Sequence, residues 1–265
     1  MALSPTFNLS EKEQLEKFAS HGLDGFFAIY KDYEQVATLK EFAEKKGLFF
    51  QSIHAKHHPM REMWFDGENT EYLMNDLKES IVSAGAVGVD RVIMHLYTGF
   101  DNNKPTTAGI KRAGELLELA QKHGVYICFE NLQCPIFLDA VLTEYRDCDY
   151  AKLCYDTGHE HCYLTHAVVD KFKDKISALH INDNMGLRNK DKTLSRADDL
   201  HLLPFDGNAD FNRVVDLIRY SNMQKELTFE FKFSDDILSE KYKKMSFDKY
   251  LDLAKERMLR LANMI

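Results

Sequence analysis

AKLCYDTGHEH, residues 151–161, runs from an apolar, strand-like stretch directly into an acid, a glycine and two histidines. Ala151–Tyr155 has the length and composition of a buried strand. The polar cluster that ends it can be read as metal ligands or as an ordinary turn, and the rest of the chain has to decide. The same change of character recurs. LFFQSIHA (48–55) carries His54 near its end, RVIMHLYTG (91–99) carries His95, and VYICFENL (125–132) carries Glu130. ISALHIND (176–183) carries His180 and ELTFEFKF (226–233) carries Glu230.

Helical periodicity fills the intervals. EKEQLEKFASHG (11–22) precedes the aromatic run GFFAIY (25–30), and EQVATLKEFAEKKG (34–47) ends at a glycine that suits a helix terminus. Further helices are expected over 70–88, 108–124, 136–147, 165–174, 210–222 and 248–264. Apolar strands separated by helices imply a parallel sheet covered by those helices. About eight such units in 265 residues predict a (β/α)8 TIM barrel: one α/β domain over 1–265, with a parallel eight-stranded barrel inside an outer ring of helices. ALSPTF (2–7) is the candidate first strand, although Pro5 is poor strand material. No GxGxxG or GxxxxGK[ST] occurs, which removes the phosphate loop an open nucleotide-binding sheet would need.

The 34 Lys and Arg against 42 Asp and Glu give a net charge of −8, so the average field repels nucleic acid. The start has neither a cationic nor an apolar signal region, and no apolar run is long enough to span a membrane. Cys128, Cys134, Cys148, Cys154 and Cys162 form no CxxC pair. These features predict a soluble, cytoplasmic, reduced protein, with Cys128 and Cys154 as small core residues.

In a (β/α)8 barrel the C-terminal strand ends converge on one mouth, so His54, His95, Glu130, Asp156, His159, His180 and Glu230 are expected to meet there. Gly158 would permit the bend that returns His159 to that mouth. Each polar residue has a bland reading on its own. Glu130 could cap a loop, Glu230 could pair with Lys232, and HEH could be a solvated turn with His161 at the surface. An unpaired carboxylate in an apolar strand is costly to ionise, and a divalent cation removes that cost for several residues at once. His57 and His58, in AKHHP, read as loop residues that no strand aims. Phe26, Phe27 and Tyr30 read as core.

FENL (129–132), YDTGH (155–159), LHINDN (179–184) and DLHLLPFDGNADF (199–211) match a known pattern, the last as an H-x-x-P-x-x-G-x-x-D loop. From about Phe49 to Phe233 the chain resembles the xylose isomerase-like barrel superfamily, which holds sugar and sugar phosphate isomerases and epimerases together with apurinic-site endonucleases of the endonuclease-four type. That resemblance implies one divalent ion, Mn²⁺, Mg²⁺, Co²⁺ or Zn²⁺, held by Glu130, Asp156, His180 and Glu230. It implies a small-molecule sugar or sugar phosphate as substrate. The reaction would be 1,2-proton transfer through a metal-stabilised cis-enediolate, with Glu130 and Glu230 as the acid/base pair. His54, His95 and His159 would line the mouth, Lys232 would act electrostatically or behind the ligands, and Arg188 would reach a phosphate or carboxylate at the substrate's far end. Homo-oligomers are common among similar barrels.

The nuclease branch implies a different use of the same residues. Its three-zinc centre takes nine ligands, and His54, His95, Glu130, Asp156, His159, His180, Asp199, His201 and Glu230 are of the right types. Such an enzyme also needs basic, intercalating loops. HHPMREMWFDGEN (57–69) offers Arg61, Met63 and Trp64 but mixes in three acids. An isomerase or epimerase therefore stands first, a three-zinc phosphodiester hydrolase second, and a non-catalytic sugar-binding barrel third.

Overall fold

Most of the helices start on a side chain that satisfies their first free amides. The computed structural model describes residues 9–191, 193–230, 242 and 244–265. Ser10 forms a capping box with Glu13 ahead of α1 (Glu11–Ser20), which leads to β1 (Gly25–Ile29). Asp32 caps α2 (Tyr33–Lys46), and Gly47 ends it at φ 68°, the left-handed conformation that glycine adopts without strain. Next come β2 (Phe49–His54), the short α3 (Arg61–Trp64) and α4 (Thr70–Ala86). Then come β3 (Arg91–Met94), α5 (Thr107–His123), β4 (Tyr126–Glu130) and α6 (Pro135–Glu144). The chain continues through β5 (Ala151–Asp156), α7 (Thr157–Tyr163), α8 (His166–Phe172), β6 (Ile176–His180), α9 (Phe211–Tyr220) and α10 (Phe247–Ala262).

The six strands pair in parallel in the order β1-β2-β3-β4-β5-β6. The ladder continues beyond β6, where Ile181 bridges Phe229 in parallel. Ile181 N donates to Thr228 O (2.8 Å) and Glu230 N donates to Ile181 O (3.1 Å). Glu230 is thereby aligned beside His180. ALSPTF, the end of ELTFEFKF and Lys232 lie outside the described residues.

Two expectations change. Residues 157–163, read as a loop, form α7, because Asp156 acts as its N-cap and accepts from His159 N at 2.6 Å. Residues 61–64, also read as loop, form α3, whose Met63 and Trp64 are buried in the main core.

Candidate metal and active site

Side chains two apart on a strand share a face. Ile93, Cys128, Cys154 and Ala178 form a small buried cluster separate from the main core, an apolar plug inside the sheet. Two residues further along the chain from each stand His95, just past β3, and Glu130, Asp156 and His180 at the ends of β4, β5 and β6. Glu130, Asp156, His180 and Glu230 are all buried, and each offers a ligand atom within 4.8 Å of the others. His180 Nδ1 lies 2.9 Å from Glu230 Oε2 and 3.4 Å from Glu130 Oε1.

Neighbours fix these groups. Asn131 exchanges two hydrogen bonds with the Asp156 backbone, and Asn182 Nδ2 donates to Asp156 Oδ2 at 2.9 Å. Phe27, expected to be ordinary core, stacks on His180 with centroids 4.7 Å apart and 16° between planes. Gly158, expected to form a bend, is instead helical, and a Cβ there would collide with the Asn182 carboxamide that holds Asp156. The loop motif also has a physical reading: Gly207 and Ala209 donate their amides to buried Asp183, and Asp210 caps α9.

Two further groups of ligand type flank this centre: His54 with His57 and His95, and His159 with Asp199 and His201. His95 Nε2 is 2.9 Å from Glu130 Oε2, and His159 Nδ1 is 3.2 Å from Glu130 Oε1. Asp199 Oδ2 meets His201 at 3.0 Å and His159 at 3.4 Å. His201 holds a left-handed backbone (φ 44°), a conformation uncommon outside glycine. The carboxylates of Glu130, Asp156 and Asp199 thus tie all three groups together.

His57 escapes a reading of the sequence because no strand aims it. Its ring stacks on His54 at 4.6 Å and meets His95 edge-on at 5.0 Å. Buried Asp76 pairs with Lys56 and, at 2.8 Å, with His58, so the residues on both sides of His57 are clamped. Only the clustering of imidazoles in AKHHP hints at it. Arg188 is at the mouth, yet its guanidinium is held by Asp198 (3.0 Å) and Ala197 O. His161 is half-buried on α7 and hydrogen-bonds Asn208 Oδ1 at 2.6 Å, so the surface reading holds only in part.

Electrostatics favour an added cation. Burial pushes Asp156 up to about 7, and the charges of Glu130 and Glu230 add to it against the pull of His159. Burial also opposes ionisation of Glu130 and Glu230, but the positive charge of His180, together with the other histidines around them, more than reverses it, leaving both well below the usual carboxylate range. The ion pairs of Glu130 and Glu230 among the described residues all go to histidines. Glu230 Oε2 and His180 Nδ1 are close but not aligned as a hydrogen bond, the arrangement expected where two atoms converge on a third. Three carboxylates and an imidazole make an oxygen-rich donor set that fits a divalent ion. Glu130 and Glu230 line a cavity of about 810 Å³, near the upper end of the roughly 300–1,000 Å³ usual for small-molecule sites.

A parallel α/β sheet with groups of ligand type gathered at its C-terminal strand ends is the arrangement of a TIM barrel mouth with a candidate metal site. The chain belongs to the xylose isomerase-like TIM barrel family, whose model matches residues 15–246. An uncharacterized protein of Sinorhizobium fredii, y4fM, is 28% identical over 178 residues, 62% of this chain and 54% of its own length. The match thus spans about half of that curated relative. Among solved structures, a D-tagatose 3-epimerase-like protein superposes with a TM-score of 0.72 at 16% identity, covering 99% of this chain and 97% of its own. The IOLI protein with a zinc atom bound gives 0.72 at 18% identity, covering 97% and 94%. Among the described residues, no helix is long and apolar enough to cross a membrane.

Proposed function

We propose that this protein is a divalent-metal-dependent sugar or sugar phosphate isomerase or epimerase. The observation that carries the reading is that buried Glu130 and Glu230 both reach His180 Nδ1, at 3.4 and 2.9 Å, and so face one small space beside Asp156. Glu130, Asp156, His180 and Glu230 would hold the ion, which when bound would act as a Lewis acid on a carbonyl and the adjacent hydroxyl. One Glu removes the proton from the carbon beside the carbonyl. The other returns a proton to the opposite face or the neighbouring carbon. His95 and His159, which line the cavity, hydrogen-bond the sugar hydroxyls, while His54, expected beside them, is engaged by Ala55 O (2.6 Å) and Glu130 (3.4 Å), and Asn182 keeps Asp156 in place. The resemblance in fold to an epimerase-like protein and to a zinc-bearing barrel supports this reading.

Closure into an eight-stranded barrel is part of the same proposal. So is cytoplasmic residence, which suits five free cysteines. The test is solvent exchange. Deuterium from the solvent should enter the substrate carbon during turnover, and Glu130→Gln or Glu230→Gln should lower that exchange by at least about 100-fold. Exchange at the normal rate in both variants would remove the acid/base assignment.

A three-zinc phosphodiester hydrolase is the second reading, favoured by the three adjoining ligand groups. Against it, Met63 and Trp64 are buried, with Trp64 Nε1 donating to Leu96 O at 2.7 Å, so neither is available to wedge open a duplex. Elemental analysis of chelator-free protein separates the two: about one ion per chain supports the isomerase reading, and about three zinc ions with incision of abasic DNA the hydrolase.

A further inference from the structure

The cavity has a charged floor and a differently charged rim. Its acids are Glu130, Asp199 and Glu230, and each is already paired with histidines. Its two arginines, Arg188 and Arg196, come from the long segment after β6. Arg188 is committed to nearly fully buried Asp198 and to Ala197 O, so its charge is balanced and it braces this segment. That brace supports the short 3-10 turn 196–198, whose entry Ser195 Oγ secures by accepting from Ala197 N at 3.1 Å. Arg196 leads this turn, is exposed, lines the cavity and makes no ion pair among the described residues. The wall also carries the uncharged polar side chains of Thr98, Gln133 and Tyr163 among apolar Pro59, Leu132 and Leu200. Gln133 is more than nine-tenths buried, and its Oε1 meets no hydrogen-bond partner.

We propose that the outer part of the cavity is an anion subsite with Arg196 as its cation, so that the substrate is a sugar bearing a phosphate or carboxylate remote from the reacting carbons. The inference rests on the reading of the floor as the metal and proton-transfer site. A guanidinium presents a planar fork of donors that matches both anions, and an arginine without a carboxylate partner has that fork open. Gln133 Oε1 accepts from a hydroxyl of the intervening chain, which would meet its buried, unmatched acceptor. A neutral sugar would satisfy the floor and the wall but leave the rim arginine in water.

The test is calorimetric binding to manganese-loaded protein of a ketohexose, its 6-phosphate and its 6-carboxylate, with inorganic phosphate as competitor. The wild type should bind at least one of the two anionic forms on the order of tenfold or more tighter than the neutral sugar, and inorganic phosphate should erode that advantage. Which form gains identifies the anion. Arg196→Ala should bring the ratio close to one, and Arg196→Lys should regain part of it. Equal binding of all three sugars to the wild type, or an undiminished ratio in Arg196→Ala, would overturn the proposal. If the ratio behaves as expected while no sugar shows solvent exchange, the subsite stands and the proton-transfer reading fails.

Discussion

Two residues along each strand separate a dry layer of the barrel interior from a charged one. Ile93, Cys128, Cys154 and Ala178 are as buried as His95, Glu130, Asp156 and His180 above them, or more so, and they share the same inward face. Burial therefore does not distinguish structure from function here. The difference lies in what each layer can be compensated by. The lower layer packs mostly on apolar side chains, with Cys154 reaching up to His180. The upper one has histidines, the carboxamides of Asn131 and Asn182, and an opening to the cavity.

The largest way to break this contrast is to move a charge down one layer. Cys128→Asp places a carboxylate where its neighbours are Ile93, Cys154 and Ala178, and it should cost about 3–5 kcal/mol in urea unfolding. A cost under about 1 kcal/mol would mean that the plug is wet, and the distinction between layers would fall.

A smaller effect is expected from crowding the upper layer. Gly158→Ala drives a methyl into the Asn182 carboxamide, so Asn182 must release Asp156 or α7 must shift. The expected loss is about 1–3 kcal/mol of stability, together with weaker metal binding. Destabilisation with unaltered metal affinity would show that Asn182 does not position Asp156.

The mildest test is pH. In chelator-stripped protein Asp156 sits at about 7, above its ordinary 3.8, so the folded chain holds that proton more tightly and stability falls as pH rises from about 4 to 7. Burial pulls His159 and His180 down, but for His159 the charges of Asp156 and Asp199, and for His180 the adjoining Cys154 thiol with the charges of Glu230 and Glu130, more than reverse it. Both histidines are held well above 6.5. Their contribution is full below that value and is lost as pH rises through the folded one. Glu130 and Glu230, held below 4.5, contribute stability that is lost only as pH falls under that value. Stability of the stripped protein should therefore decline as pH rises from about 5 through 7 and above, while a bound ion should flatten the curve by fixing the ligands deprotonated. Parallel curves with and without the ion would contradict the metal assignment.

Much of this is legible in the chain. Six of the expected strands and most of the helices appear near their expected places, because apolar runs and 3.6-residue periodicity are local properties. The nine candidate ligands also come together, since strand parity aims His54, Glu130, Asp156 and His180 before any packing is known. Helix α7 is not legible as a helix: YDTGH reads as a turn until Asp156 is seen to cap residues 157–163. Arg188 is expected at the substrate, but an arginine's partner is a matter of distance in space, and Asp198 is ten residues away in a loop without periodicity.

Residue order alone is enough for the parallel α/β architecture and for the chemistry gathered at its strand ends, because both depend on which residue types alternate and where apolar runs stop. Packing in three dimensions was needed to bring His57 into the site, to show that Gly158 makes room for Asn182, and to leave Arg196 rather than Arg188 with its charge uncommitted. Each of those depends on an approach between segments that no local pattern records: the Asp76 clamp on 56 and 58, the Asn182 carboxamide against α7, and the buried Asp198 that takes up one arginine and leaves the other facing the cavity.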